Sequence, residues 1–182
     1  MPLRPGSYSL GPQSATLTVK TGKTGAAAKA GHNLDIKVSS WSAQLDLGEA
    51  AVPSSMSLIA DSRSLKVMAG SGGMQSPSDE DLAAIEQTID DEVLMGGPIS
   101  FRSTHVSPAA GGDGELRVQG ELDLLGRTGP IEFSLTLDDD GHLSGSATVV
   151  QTAFGLKPFS ALFGTLKVTD AVEVGIDGTL PW

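Results

Sequence analysis

The stretch "LRVQGELDLLGRTGPIEFSLTL", residues 116–137, alternates apolar and polar side chains through two successive runs. Leu116, Val118, Gly120, Leu122 and Leu124 share one parity, and Arg117, Gln119, Glu121 and Asp123 the other. Beyond Gly126–Gly129 the rhythm resumes, with Ile131, Phe133, Leu135 and Leu137 set against Glu132, Ser134, Thr136 and Asp138. A period of two belongs to the pleated strand, so the pair reads as a hairpin with one oily face and one wet face. That oily face must be covered, either by another packed face or by a molecule the protein holds.

The same alternation runs along most of the chain. It is legible in "SYSL" (7–10), "SATLTVKT" (14–21), "NLDIKVSS" (33–40), "WSAQLDL" (41–47), "SMSLIADS" (55–62), "ISFRSTHV" (99–106), "HLSGSATVVQ" (142–151) and "AVEVGIDGTL" (171–180). Eight or nine short runs joined by turns predict an all-β barrel or sandwich. One segment departs from it. "SDEDLAAIEQTIDDEVLMGG" (78–97) places Leu82, Ile85, Ile89 and Val93 at helical spacing. Ser78 and Asp81 suit an N-terminal capping box and Gly96 a C-terminal cap, so a helix is expected near residues 79–95. A single amphipathic helix in such a chain is expected across a sheet edge or a barrel mouth. "MAGSGGMQSPS" (68–78) and "SPAAGGDGE" (107–115) read as loops, and nothing marks a boundary, so residues 1–182 are expected to form one domain.

Aromatic residues make up 4% of the chain, so Leu, Val, Ile and Ala must fill most of any core. A core built that way fills space less completely than one with many rings. Small residues recur at inward parity, among them Gly120, Ala43 and Ala60. An apolar cavity and a dry core both remain open on these grounds.

The formal charge is −10, from 22 acidic and 12 basic residues, the wrong sign for a phosphate backbone or an anionic membrane surface. No stretch is long and apolar enough to span a bilayer, and the first residues show no signal-peptide core. The expectation is therefore a cytoplasmic protein with no nucleic-acid partner and no stable membrane insertion; a truncated start would make it periplasmic or secreted.

Catalytic and metal patterns are not found. The chain has no cysteine, and it has no Gly-x-Ser-x-Gly elbow. His32, His105 and His142 sit in separate segments without metal-ligand spacing. "DDDG" (138–141) fits a hairpin turn better than a calcium loop, and "GSGG" (70–73) lacks the Lys-Ser/Thr of a phosphate loop. His105 shares the parity of Ile99 and Phe101 and is expected to face inward near one end. No enzyme, cofactor or metal is expected.

The hairpin "VQGELDLLGRTGPIEFSLTL" resembles the "V-x-G-x-L-x-(2)-G-x-T-x-P" hairpin of the YceI-like proteins. "QTAFGLKPFSALFGTLKVTDAVEV" (151–174) resembles that family's closing segment as written in its actinobacterial branch. The order of "GHNLDIKVSSWSAQLDL", "DSRSLKV", an acidic helix and "PISFRST" is also similar.

The resemblance implies a single closed, antiparallel, eight-stranded, lipocalin-like barrel with the amphipathic helix near one mouth. It implies a lipophilic ligand with an isoprenoid chain, held by a non-catalytic carrier that forms a homodimer in many members. Lining residues would then be Leu17, Val19, Leu34, Ile36, Leu45, Met56, Leu58, Phe101, Val118, Leu122, Leu124, Ile131, Phe133 and Leu135. Val118 is expected near the middle of the lumen. Phe154, Phe159, Leu162 and Phe163 would form an apolar flap beside it, and His105, Arg127 or Lys157 would meet a headgroup. The competing expectation is a stress-related interaction protein with a solid barrel core and no ligand.

Overall fold

The computed structural model describes residues 4–112, 114–161, 164 and 166–181. The strands in chain order are β1 (Gly6–Leu10), β2 (Ala15–Thr21), β3 (Lys23–Thr24), β4 (Asn33–Val38), β5 (Trp41–Leu47), β6 (Pro53–Asp61) and β7 (Leu65–Ser71). After helix α1 (Asp79–Thr88) come β8 (Pro98–Pro108), β9 (Glu115–Leu124), β10 (Arg127–Leu137), β11 (His142–Val150), β12 (Ser160–Ala161), β13 (Leu166–Val168) and β14 (Ala171–Thr179).

The opening hairpin is β9–β10, and its turn is tighter than the sequence suggests. Leu124 pairs with Arg127, which leaves a two-residue turn of Leu125 and Gly126. Both have positive φ, 57° and 85°, as a right-twisting two-residue hairpin requires. Asp123 fastens the turn by accepting from the Gly126 N–H at 3.0 Å and the Thr128 hydroxyl at 3.0 Å. The expected turn across Gly126–Gly129 is thereby shortened to Leu125–Gly126, with Arg127–Gly129 in extended strand.

The expected closed eight-stranded barrel is also corrected. The hydrogen-bonded order is β1-β5-β6-β8-β9-β10-β11-β14-β2-β4-β7, an eleven-stranded antiparallel sheet with β1 and β7 at its ends, curled into a half-barrel. A separate three-stranded sheet, β12-β13-β3, stands beside it. Kinks in long runs raise the strand number. The run through Leu10 and Ala15 breaks at Gly11–Ser14, so β1 pairs with β5 while β2 pairs with β14 and β4. Only Ser39 and Ser40 separate β4 from β5, and Ser62–Ser64 separate β6 from β7.

These last two kinks are stitched together. The Ser39 N–H donates to the Ser64 carbonyl at 2.9 Å, and the Asp61 N–H donates to the Ser40 carbonyl at 3.0 Å. Ser64 Oγ accepts from the Ser40 N–H at 3.0 Å and donates to the Asp61 carbonyl at 2.7 Å. The buried Ser64 hydroxyl thus satisfies backbone groups that the interrupted ladder leaves over. β7 itself was expected to be partly loop, since its last residues lie in the Gly-rich stretch that begins at Met68.

The helix begins as expected, with the reciprocal Ser78–Asp81 capping box. The α-helix ends at Thr88 and passes into a π-helical turn, Ile89–Leu94, closed by Met95 in the left-handed region. Glu86 on α1 accepts from the Val67 N–H at 2.9 Å and pairs with Lys66 at 3.3 Å. A helix carboxylate therefore occupies a donor on the end strand β7 that would otherwise invite another strand.

Candidate binding cavity

The inward face of the sheet divides into two regions. At one end, Leu45, Val118, Leu143 and Leu180 are sealed at no more than 2% exposure. Every inward residue of β5 (Trp41, Ala43, Leu45, Leu47) is buried as well. Nearby, Asp46 accepts from the Ser7 and Ser55 hydroxyls, each at 2.6 Å, and binds end strand β1 to its neighbours. The Ser55, Ser7 and Gln44 bonds hold its carboxyl below the usual carboxylate range.

At the other end the inward side chains are equally apolar, and alongside buried members such as Leu17, Ile36 and Phe101 several remain half-buried. Val19, Leu34, Leu58, Ile99, Ile131, Phe133, Val172 and Val174 all keep part of their surface reachable. They surround a cavity of about 260 Å³. Among the described residues its lining contains no charged side chain, and Thr21, Ser146 and Gln151 are its polar members. Its walls come from β2, β4, β6, β7, β8, β9, β10, β11, β13 and β14, with Ile89, Val93 and Leu94 contributed by the π-helical turn. The wider π turn sets adjacent Val93 and Leu94 both against the cavity.

Phe101 and Phe133 line the cavity and pack against each other, with ring centroids 5.3 Å apart at 58°. A Cβ at residue 120 would stand 2.5 Å from Cε2 of Phe101, so Gly120 is the space this ring occupies. The small residue at this inward position therefore reflects the bulk of Phe101 and does not by itself add open volume.

Of the expected lining residues, Leu17, Val19, Leu34, Ile36, Met56, Leu58, Phe101, Leu122, Leu124, Ile131, Phe133, Leu135 and Phe159 border the cavity. Leu45 and Val118 do not; both are 1% exposed in the packed end. Val118 is thus moved from the expected lumen centre into dry core. Alternation tells which side a residue faces, not how far along the strand the interior stays hollow.

Phe154 is buried without lining the cavity, its ring 3.0 Å from where a Cβ at Gly129 would stand. Leu162 and Phe163 lie outside the described residues. Leu156 also lines the cavity, as do Val172, Val174 and Ile176 on β14, all of them outside the expected lining set. The alternation of β14 and the helical spacing of Ile89 and Val93 carried signals that would have found them.

The expected headgroup contacts do not enter the lining. A bulge between Ser103 and His105 places Thr104 outside the regular pairing, so His105 pairs with Gln119 on the wet face and is exposed. That one extra residue reverses the parity that made His105 look inward, and Val106 regains it opposite Val118. Arg127 and Lys157 are both exposed, and the Arg127 guanidinium lies over Gly155, 2.9 Å from where a Cβ would stand.

The segment beside the cavity is held at its root. The Thr152 N–H and hydroxyl donate to Asp170 at 2.8 and 2.5 Å, and the Gln151 N–H donates to the Asp170 carbonyl at 2.9 Å. The Thr152 bonds hold the Asp170 carboxyl below its usual range. β10 and β11 pair only from Ser134–Ser146 to Leu137–Leu143. Above that point the two strands separate, and Phe154 of this segment packs on Gly129 of β10.

A curled antiparallel sheet wrapped over one apolar cavity, with a helical turn against it, defines an all-β protein of broadly lipocalin-like architecture. The YceI-like domain model matches residues 8–180, and the chain belongs to that family. It is similar in structure to BcnA of Burkholderia cenocepacia, with a TM-score of 0.64 at 14% identity over 90% of this chain and 94% of that one. It is also similar to a polyisoprenoid-binding domain from Saccharophagus degradans implicated in plant cell wall breakdown. There the TM-score is 0.56 at 10% identity, over 97% of this chain and 99% of the other. No curated protein matches the sequence.

Proposed function

We propose that this protein is a non-catalytic carrier that holds an isoprenoid or similar long-chain lipid in its cavity. The observation that carries the reading is the wall of Val, Leu, Ile and Phe, several of them half-buried, around a cavity with no charged group among the described lining residues. Apolar surface left reachable in this way gains about 25 cal/mol per Å² when a hydrocarbon covers it. A chain burying roughly 200 Å² would gain about 5 kcal/mol from that alone. Membership of the YceI-like family and the fold shared with a polyisoprenoid-binding domain support the same reading.

A binding role is favoured over catalysis because the described lining residues offer neither a nucleophile–base pair nor a carboxylate pair. No helix among the described residues is long and apolar enough to cross a membrane. The test is mass spectrometry of an organic extract of the purified protein. A long-chain lipid in stoichiometric yield is expected; protein that yields none, and takes up none when offered isoprenoid, overturns the carrier.

A further inference from the structure

Among the described residues, one polar side chain of the cavity lining is deeply buried. Gln151 follows β11 at the parity of Ala147 and Val149, lines the cavity and is 8% exposed. Its Nε2 donates to the Thr169 carbonyl at 3.0 Å. That bond fixes which way the amide points, since the reverse orientation would set two carbonyl oxygens against each other. The backbone is also engaged, its N–H donating to Asp170 and its carbonyl accepting from the Leu156 N–H at 3.1 Å. Among the described residues, Oε1 is the one polar atom of Gln151 that makes no hydrogen bond.

The other polar lining groups are poorer candidates for contact with a ligand. Thr21 Oγ1 already accepts from the Leu34 N–H at 3.2 Å, and Ser146 is exposed on its strand. An acceptor in an apolar cavity gains most from a donor brought by the guest. An anionic end group would meet no cation among the described lining residues and would face the amide oxygen, so its desolvation would go uncompensated.

We propose that Gln151 Oε1 reads the polar end of the bound chain by accepting a hydrogen bond from an uncharged hydroxyl. The cavity then takes long-chain alcohols or phenols in preference to anionic lipids. This rests on the carrier reading and narrows it to a ligand class.

The test is calorimetric titration of the full chain with farnesol, farnesyl methyl ether and farnesyl monophosphate, which share one hydrocarbon tail. Farnesol should bind about tenfold more tightly than the ether, the worth of one buried hydrogen bond. The phosphate should be weaker than farnesol by at least that factor. In Gln151→Leu the advantage of farnesol over the ether should vanish while the ether binds within about twofold of its wild-type affinity. Equal binding of farnesol and either analogue by wild type overturns the inference, and it does so even if Gln151→Leu fails to fold. A farnesol preference that survives in a folded Gln151→Leu protein overturns it too. If the three probes bind equally well, the carrier stands without this selectivity; if none binds, the carrier reading itself falls.

Discussion

The two ends of the interior are made from the same residue types yet behave as different materials. Along β9, Leu116 and Val118 are sealed in packed core, while Leu122 and Leu124, on the same face a few residues later, border the cavity. Along β11, Leu143 is 1% exposed, whereas Ala147 and Val149 border open space. The difference lies in what faces them. At the packed end β5 supplies Leu45 and Leu47, and Leu180, directly after β14, is sealed as well. At the hollow end β10 and β11 have separated, and the π-helical turn and the segment from Gln151 to Phe159 lean over the gap without filling it. Hydrophobicity alone therefore does not make a core. A core needs opposing side chains close enough to interdigitate.

The sharpest way to break this comparison is to create a hole at the packed end. Leu143→Ala should cost about 3–5 kcal/mol, because a sealed leucine leaves a cavity that its neighbours cannot collapse into. Chemical denaturation should show that loss, with ligand loading of the folded fraction unchanged. A loss below about 1 kcal/mol would mean this end is not packed.

A matched pair of large insertions is the next test. Val118→Trp should destabilise by about 1–3 kcal/mol through overpacking and leave lipid content unaffected. Val174→Trp, on the cavity wall, should cost less than about 1 kcal/mol because the indole has space to enter. It should nevertheless reduce extractable lipid several-fold. Melting temperature and lipid per mole of protein distinguish the two, and the reverse pattern would exchange the identities of the two ends.

A smaller effect is expected at the segment over the cavity. Phe159 is 38% exposed while lining the cavity, so Phe159→Ala should change stability by less than about 1 kcal/mol. Lipid transfer to acceptor vesicles should become faster. An unchanged transfer rate would remove this residue from any role in retention.

The smallest effects should come from pH. Asp46 at the packed end and Asp170 at the hollow end both have folded-state carboxyl pKa values held down by hydrogen bonds, Asp46 mainly by Ser55 and Asp170 mainly by Thr152. A carboxyl whose pKa is lower folded than unfolded adds stability above its unfolded pKa. That stability is lost as pH falls through the folded value. Both anchors should hold at neutral pH and loosen only below the ordinary carboxylate range. Asp170→Asn should accelerate lipid release at neutral pH and flatten its acid dependence. Asp46→Asn should leave release unchanged and slightly lower the melting temperature.

The sequence by itself determined the kind of structure. Alternation in 116–137, 41–47 and 171–180 could only suit strands with one face covered, and the capping box at Ser78 with the spacing of Leu82, Ile85 and Ile89 could only suit a helix. The motif order placed the chain in its family. These are local signals, written in residues close enough to be compared directly.

Three outcomes belong to tertiary structure alone. The kink at Ser39–Ser40 depends on hydroxyl and backbone partners in Ser62–Ser64, more than twenty residues away in sequence. The bulge at Thr104 turned His105 outward, because a single unpaired residue reverses every parity beyond it. The boundary between core and cavity depended on which strands stay paired. Val118 and Leu122 carry the same alternation, and only the separation of β10 from β11 and the reach of β5 decide that one is sealed and the other faces open space. Volume is a property of opposing walls, and no run of neighbours along one strand encodes it.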